Sequence, residues 1–335
     1  MDKLAAQRIR LYNILIGSMK TQAISVAAEL GLADQLRGGP VALSELAVRV
    51  HAKPDRLFRL LRALCGLGLF VEKGGYYELT DMGQVLRADV HGSLKPFALL
   101  LGGPSWWQAW GNLRHAVVTG ECAFNHTHGL DYFSYLEERP DDRARFHDFM
   151  SHVSQMNASA IANVYPFSSF KKIVDIGGSR GDLLFAILRS APKTSAVLFD
   201  LSAVLAGEHD IDQELVGRVE RVAGDFFAAI PPGGDVYILQ QILHDWDDDK
   251  ALAILNNCRH VMYKKTKLLV IEAVIEPGNT PSFNKFSDLH MMVLGQGACE
   301  RTQDEFKELF SKAGLCLTRT IPTGTAFTLL ETELP

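Results

Sequence analysis

The chain reads as an α/β protein. It should carry an open, Rossmann-like parallel sheet with an antiparallel last strand, preceded by a small helical region that ends in a wing. Three observations predict this. From about residue 170, apolar strands alternate with amphipathic helices, the pattern of a doubly covered parallel sheet. The first of these strands runs into the glycine turn Gly177-Gly178-Ser179-Arg180-Gly181, which opens a helix. Upstream, two helices and a Gly-Gly hairpin follow one another in the order of a winged helix-turn-helix.

Taken in order, Gln22 to Leu36 is an apolar-periodic helix, Leu43 to Val50 a second, and Pro54 to about Leu67 a third. Pro54 stands at a helix start, where its missing N–H is harmless. Phe70 to Leu79 is strand, Gly74-Gly75 turn, strand. Residues 96–165 read as helical, with a glycine and histidine loop around Gly120 to Gly129, a helix from Tyr132 to Glu138 and a longer one from Pro140 to Ala162. Trp106 and Trp110 share one helical face by their i,i+4 spacing, as core or as the roof of an aromatic pocket. Then come strands at Lys172–Ile176, Ala196–Asp200, Arg218–Val222, Asp235–Leu239 and Lys267–Val274, with helices at Leu183–Arg189, Asp249–Met262 and Gln303–Ala313. Two final strands, Leu315–Ile321 and Phe327–Glu333, join through Pro322-Thr323-Gly324 and put an antiparallel strand at the sheet's edge. Three regions result, with bounds 1–95, 96–165 and 166–335.

The bulk numbers narrow the function. At 335 residues, 47% hydrophobic and 22% charged, the composition is that of a soluble globular protein with room for two domains. A net charge of −5 offers no footprint for nucleic acid or an anionic membrane. Arg56, Arg59 and Arg62 do lie on the third helix, but Leu57, Phe58, Leu60, Leu61 and Leu64 make it largely apolar. It suits packing on a partner chain better than a phosphate backbone. No apolar run reaches the roughly 18 residues of a membrane span, and Met1-Asp2-Lys3-Leu4 does not begin a secretory signal. Five scattered cysteines, without a CxxC, suggest neither disulfides nor a zinc site and fit a reducing cytoplasm.

The glycine turn decides the ligand. A Walker loop needs Lys-Ser/Thr after its last glycine, and Asp182-Leu183 stands there instead. Gly177, Gly178 and Gly181 miss the G-x-G-x-x-G dinucleotide spacing, and Asp182 would repel a pyrophosphate. Gly177 to Gly181 does match G-x-S-x-G, the hydrolase nucleophile elbow. That elbow should follow earlier strands of its own sheet and an HGG-type segment, and neither precedes it. A ligand that is part nucleoside and part amino acid fits better. Asp200 ends the second strand, where a carboxylate can accept both ribose hydroxyls. Asp225 follows the third strand and can take an adenine amino group, with Phe226 against the base.

Six pieces then arrive in sequence: Val174-Asp175-Ile176-Gly177-Gly178, Phe199-Asp200-Leu201, Gly224-Asp225-Phe226-Phe227, Ile242-Leu243-His244-Asp245-Trp246, Asp288-Leu289-His290-Met291-Met292 and Glu300-Arg301-Thr302. Together, over residues 170–333, they resemble the S-adenosylmethionine-dependent O-methyltransferases of the plant caffeate and acetylserotonin type, with their bacterial and fungal relatives. The resemblance implies that the winged N-terminal region is a dimerisation module and that the protein is a homodimer. It implies S-adenosylmethionine as cofactor and S-adenosylhomocysteine as product, held by Asp175, Gly177, Asp200, Leu201, Gly224, Asp225, Phe226, Gln240 and Trp246. Two positions depart from the family: Ser179 replaces the middle glycine, and Gln240 stands where plant members often carry lysine.

The chemistry needs a nucleophile and alignment. A phenol of pKa ~10 is mostly protonated at neutral pH, so a base helps. His244, just past the fourth strand, is the candidate, and the resemblance places the family's catalytic histidine there. Glu272 and Glu300 match the acids that flank it, and Asp245 is placed near the substrate. Glu272 sits in an apolar strand and needs a partner. Phe133, Phe146, Met150, Trp246 and Met291 are candidate walls for a flat ring. Asp247-Asp248-Asp249 reads as the acidic first turn of a helix rather than a metal site, His126 and His128 as a loop pair, and no metal is expected. The resemblance implies a small aromatic hydroxyl compound as the acceptor. Methylation of a ring nitrogen is the alternative on the same fold, and a ligand-sensing winged-helix regulator is a further one.

Overall fold

The computed structural model describes residues 3–206, 211 and 213–335, in two compact units. One comprises residues up to Gln108 together with Leu136–His152; the other comprises Ala109–Tyr135 and Val153–Pro335. Of the stretch 96–165, residues 109–135 and 153–165 therefore group with the second unit.

In the first unit a helix at Lys3–Leu15, which the periodicity did not predict, precedes Gly17–Glu29. The single helix expected over Gln22 to Leu36 is broken: Gly31 takes φ +63 and a short helix, Leu32–Gln35, follows. Strand β1, Val41–Ala42, leads into helices Leu43–Arg49 and Pro54–Gly66. Strands β2, Phe70–Lys73, and β3, Tyr76–Leu79, form the hairpin, and β1 adds to it to give the order β1-β3-β2. Leu32, Leu46, Leu57, Leu61, Leu64 and Phe70 close the core beneath. Trp106 is core here, edge-on to Phe149 at 5.8 Å.

The second unit holds the large sheet. Its strands are β4 (Lys172–Ile176), β5 (Ser195–Asp200), β6 (Val219–Ala223), β7 (Val236–Gln240) and β8 (Lys267–Glu272), then, past the short pair β9 (Val274–Ile275) and β10 (Arg301–Thr302), β11 (Cys316–Pro322) and β12 (Thr328–Glu333). The expected strand Lys267 to Val274 is thus two, with β9 leaving the sheet to pair β10. The order is β11-β12-β8-β7-β4-β5-β6. Strands β4 to β8 are parallel, and β12 lies antiparallel between β8 and β11. The edge is therefore β11, and the antiparallel strand sits one place inside it. The chain builds outward from β4 through β5 and β6, then crosses to β7 on the other side of β4. That reversal opens the ligand crevice at the strands' carboxyl ends. Apolar residues on both sheet faces pack under helices, as in Ile173 and Leu198 on one and Val174 and Phe199 on the other. The loop expected around Gly120 to Gly129 contains a helix, Ala123–His128, between left-handed Gly120 and Gly129.

Candidate active site

Strand β4 delivers the glycine turn to this crevice. Gly177 has φ +69, and a Cβ on it would stand 2.5 Å from Ile242 Cδ1, so the turn lies against the loop after β7. Ser179 takes φ +51, a left-handed backbone that glycine adopts without strain. Its N–H donates to Asp200 Oδ2 at 2.8 Å, and Leu201 N–H donates to Asp200 Oδ1 at 2.7 Å. A carboxylate has about four lone-pair sites, so each oxygen keeps capacity for a hydroxyl. Asp175 is buried under the turn, and burial together with the Asp200 carboxylate pushes it up to about 7.

The loop after β6 supplies the next wall. A Cβ on Gly224 would meet the Phe199 ring at 2.4 Å. Asp225 Oδ1 accepts the Phe227 N–H at 2.8 Å, and Asn257 donates to the carbonyls of Phe226 and Phe227, both at 2.9 Å. Phe226 reaches within 3.7 Å of where a Gly177 Cβ would be. Trp246 stands edge-on to Phe227 at 4.9 Å, with Lys250 over its face. Gln240 ends β7 in the same crevice, and its buried Nε2 has no hydrogen-bond partner among the described residues. A ligand there would satisfy it. The strand-end residues expected from sequence thus meet at one rim, although Leu201 is half exposed and offers its backbone.

His244 lies in a 3-10 turn, Leu243–Asp245, just past β7 and is buried. Its Nδ1 is 3.5 Å from Glu272 Oε2 and 3.4 Å from Glu300 Oε1, and its Nε2 is 3.4 Å from Asp245 Oδ1. These are ion-pair distances, longer than good hydrogen bonds. Glu272 holds the turn itself: its Oε1 accepts the N–H of Ile242 at 3.0 Å and of Leu243 at 2.8 Å. Burial alone would push the imidazole down; Glu272, Asp245 and Glu300 outweigh it and raise it to about 10. Burial pushes Glu272 up to about 7, against the pull of the charged imidazole. An ion pair alone would lower the carboxyl. The neighbouring Glu300 and Asp245 carboxylates oppose its ionisation and, with burial, outweigh that pull. The donor atoms of His244, Glu272 and Glu300 lie within 4.8 Å of one another, so a single cation could also bridge them.

Two further groups hold this cluster. The buried Arg301 guanidinium donates to the Leu243 carbonyl at 2.9 Å, the Trp246 carbonyl at 2.8 Å and Asp248 Oδ1 at 2.9 Å. From helix Asn284–Leu294, Ser287 Oγ donates to Glu300 Oε1 at 2.7 Å, and Asp288 Oδ1 accepts the Glu300 N–H at 3.1 Å. One turn on, His290 Nδ1 accepts the indole N–H of Trp110 at 2.9 Å. In the sequence, Asp288, His290 and Arg301 stood out as members of family motifs but carried no role; Trp110 stood out only through its spacing.

Of the proposed pocket residues, Met291 is half-buried on that helix, Phe133 is 46% exposed, and Phe146 and Met150 belong to the first unit. The acidic triplet does cap a helix: Asp247 accepts the Lys250 N–H at 2.9 Å, and Asp248 pairs with Arg301. His126 stacks on His115 with ring centroids 3.7 Å apart.

Comparison with known proteins identifies the family. The O-methyltransferase domain family matches residues 110–316, and the O-methyltransferase dimerisation domain family matches residues 12–89. The phenazine O-methyltransferase PhzM of Lysobacter antibioticus is 40% identical over 96% of this chain and 94% of its own length. The crystal structure of LaPhzM superposes with a TM-score of 0.92 at 39% identity, covering 98% of this chain and 99% of that one. The O-methyltransferase NcsB1 from neocarzinostatin biosynthesis, solved with S-adenosylmethionine and 2-hydroxy-5-methyl naphthoic acid, gives a TM-score of 0.82 at 32% identity, covering 94% and 96%.

Proposed function

This chain belongs to the O-methyltransferase family, and on that premise we propose that it moves a methyl group from S-adenosylmethionine to a hydroxyl of a small aromatic acceptor, with His244 taking the hydroxyl proton. It is a methyltransferase enzyme, and S-adenosylmethionine supplies the methyl as an electrophile when bound. The observation that carries the role of His244 is its burial between Glu272 and Glu300 beside Asp245. Those carboxylates stabilise the imidazolium, the state His244 reaches once the acceptor has given up its proton. Only the neutral imidazole can accept, so the reactive fraction grows with pH. Glu272 and Glu300 orient the ring through Nδ1, and Nε2, on the Asp245 side, faces the acceptor. Asp200 would take the ribose hydroxyls, Asp225 and Phe226 the base, and Asp175, Gly177, Leu201, Gly224, Gln240 and Trp246 the rest of the cofactor's enclosure. Met291 and Phe133, both in the second unit, would line the ring.

Residues 1–95 are assigned to dimerisation, 96–165 to linking and enclosing the acceptor, and 166–335 to catalysis. Helix Lys3–Leu15 supports the homodimer: it buries none of its residues and leaves Ile9, Leu11, Tyr12, Ile14 and Leu15 more than half exposed. Among the described residues no helix is long and apolar enough to cross a membrane. The five free cysteines are consistent with a reducing cytoplasm, and the acidic net charge argues against nucleic acid as a partner.

Calorimetry with S-adenosylhomocysteine, and a labelled-methyl screen of aromatic hydroxyl compounds, test the reading. Binding and label on an aryl oxygen are expected; His244→Ala should bind the product yet lose about a hundredfold or more in kcat. No heat with either form of the cofactor, label on nitrogen alone, or an unimpaired His244→Ala variant would each overturn it.

A further inference from the structure

We infer that Ser287 is a positioning residue for the proton transfer: its hydroxyl fixes the Glu300 carboxylate against the His244 ring and keeps the charge of that carboxylate available to it. The inference rests on the reading of His244 as the base and adds a residue that acts on the base through another.

The two acids behind His244 Nδ1 are held differently. Glu272 is anchored by backbone, since its Oε1 accepts the N–H groups of Ile242 and Leu243. Glu300 depends on one side chain. Ser287 Oγ lies 2.7 Å from Glu300 Oε1, the oxygen that also stands 3.4 Å from His244 Nδ1. An ionised carboxylate only accepts, so the serine hydroxyl donates. Among the described residues it is the one neutral donor to this carboxylate, whose Oε2 is buried without a hydrogen-bond partner.

Helix Asn284–Leu294 grips Glu300 at a second point, where Asp288 Oδ1 accepts the Glu300 N–H at 3.1 Å. The backbone bond sets where the side chain starts, and the serine bond sets where its carboxylate ends. Charge matters as much as place. Glu300 faces Glu272, Asp245 and Asp288 as well as the imidazole, and His290 lies near His244. Burial and like charges favour the neutral form of a carboxyl, and a hydroxyl donated to the ionised form opposes them. A neutral Glu300 would give the imidazolium no support once it holds the acceptor's proton.

Two measurements test this. Ser287→Val and Ser287→Thr occupy nearly the same space, and only the second keeps a hydroxyl. Both should bind S-adenosylhomocysteine as the wild type does. Ser287→Val should lose about tenfold in kcat with KM little changed, as expected for a lost hydrogen bond to a charged group, and Ser287→Thr should recover most of that loss. On a Glu300→Ala background Ser287→Val should cost less than about twofold, because the acid it acts through is gone. Equal kcat in the Val and Thr variants, or the full loss without Glu300, overturns the assignment. The second needs no turnover. Followed by nitrogen-15 spectroscopy in the intact protein, the His244 ring should titrate at lower pH in Ser287→Val than in the wild type, and close to the wild type in Ser287→Thr. An unmoved or raised titration in Ser287→Val sinks the inference. Failure of every hydroxyl acceptor, or an unimpaired His244→Ala, would instead sink the methyl-transfer reading, and the ring titration would still decide whether Ser287 governs Glu300.

Discussion

Glu272 acts on His244 twice: Oε2 stands 3.5 Å from the imidazole Nδ1, while Oε1 accepts the N–H of Leu243, the residue before it. One carboxylate at the end of β8 thus sets both the charge of the ring and the path of the turn that presents it.

Glu272→Gln separates these two effects. The amide oxygen can still accept the Ile242 and Leu243 N–H groups, but the negative charge is gone. His244 is held up by its carboxylates to about 10, so losing one lowers it. The rising limb of kcat/KM against pH should move toward acid by about one unit or more. A limb that stays in place would show that the imidazole does not set it.

Gly177→Ala tests the crevice. The residue has φ +69, and the added methyl would meet Ile242 Cδ1 at 2.5 Å. A left-handed non-glycine residue costs roughly 1–3 kcal/mol, and relieving the clash moves the loop that carries His244. S-adenosylhomocysteine affinity by calorimetry should fall about tenfold or more. Unchanged affinity would place the cofactor away from this turn.

Much of this site was legible because strand ends are legible. Continuous apolar runs, buried on both faces, marked where β4, β5, β7 and β8 stop and so set Gly177, Asp200 and His244 at strand ends, whereas Gln240 and Glu272 took their roles from the family resemblance. What stayed hidden depends on tertiary contact. Arg301 and Trp110 hydrogen-bond to the Leu243 carbonyl and to His290, far along the chain, and no local pattern announces such partners. Helix Lys3–Leu15 escaped because it buries nothing within this chain, leaving no apolar stripe with an evident core to face. The break at Gly31 escaped because a lone glycine within a periodic run is compatible with a continuing helix as well as with a helix end.

Arg301→Lys addresses what holds the turn that carries His244. The guanidinium spans two carbonyls and a carboxylate, and an ammonium cannot reproduce that fork. Each buried acceptor left unsatisfied costs about 1–3 kcal/mol. The apo Tm should drop by about 4 °C or more, and kcat should fall while S-adenosylhomocysteine still binds. A wild-type Tm and kcat would show that Leu243 and Trp246 are held by other groups.

The cation question has its own test. His244, Glu272 and Glu300 place three donor atoms within 4.8 Å of one another, and a proton or a metal ion could relieve their negative charge. Under the proposed chemistry the proton does so. Dialysis against a chelator should leave the initial rate unchanged, with metal analysis confirming removal. A rate that collapses and returns with a divalent ion would assign these residues as ligands.

Asp175 makes a prediction about stability. Burial and the Asp200 carboxylate push its folded pKa up to about 7 from the ordinary 3.8. The folded state therefore binds a proton that the unfolded state has released, and stability falls as pH rises between those values. Three pKa units correspond to roughly 4 kcal/mol. Asp175→Asn keeps the side chain's shape and removes the titration. Its apo unfolding free energy in urea should match that of the wild type near pH 4, then exceed it progressively up to pH 7.5. Parallel curves would mean that Asp175 is ionised in the folded protein, with a counter-charge that the burial argument lacks.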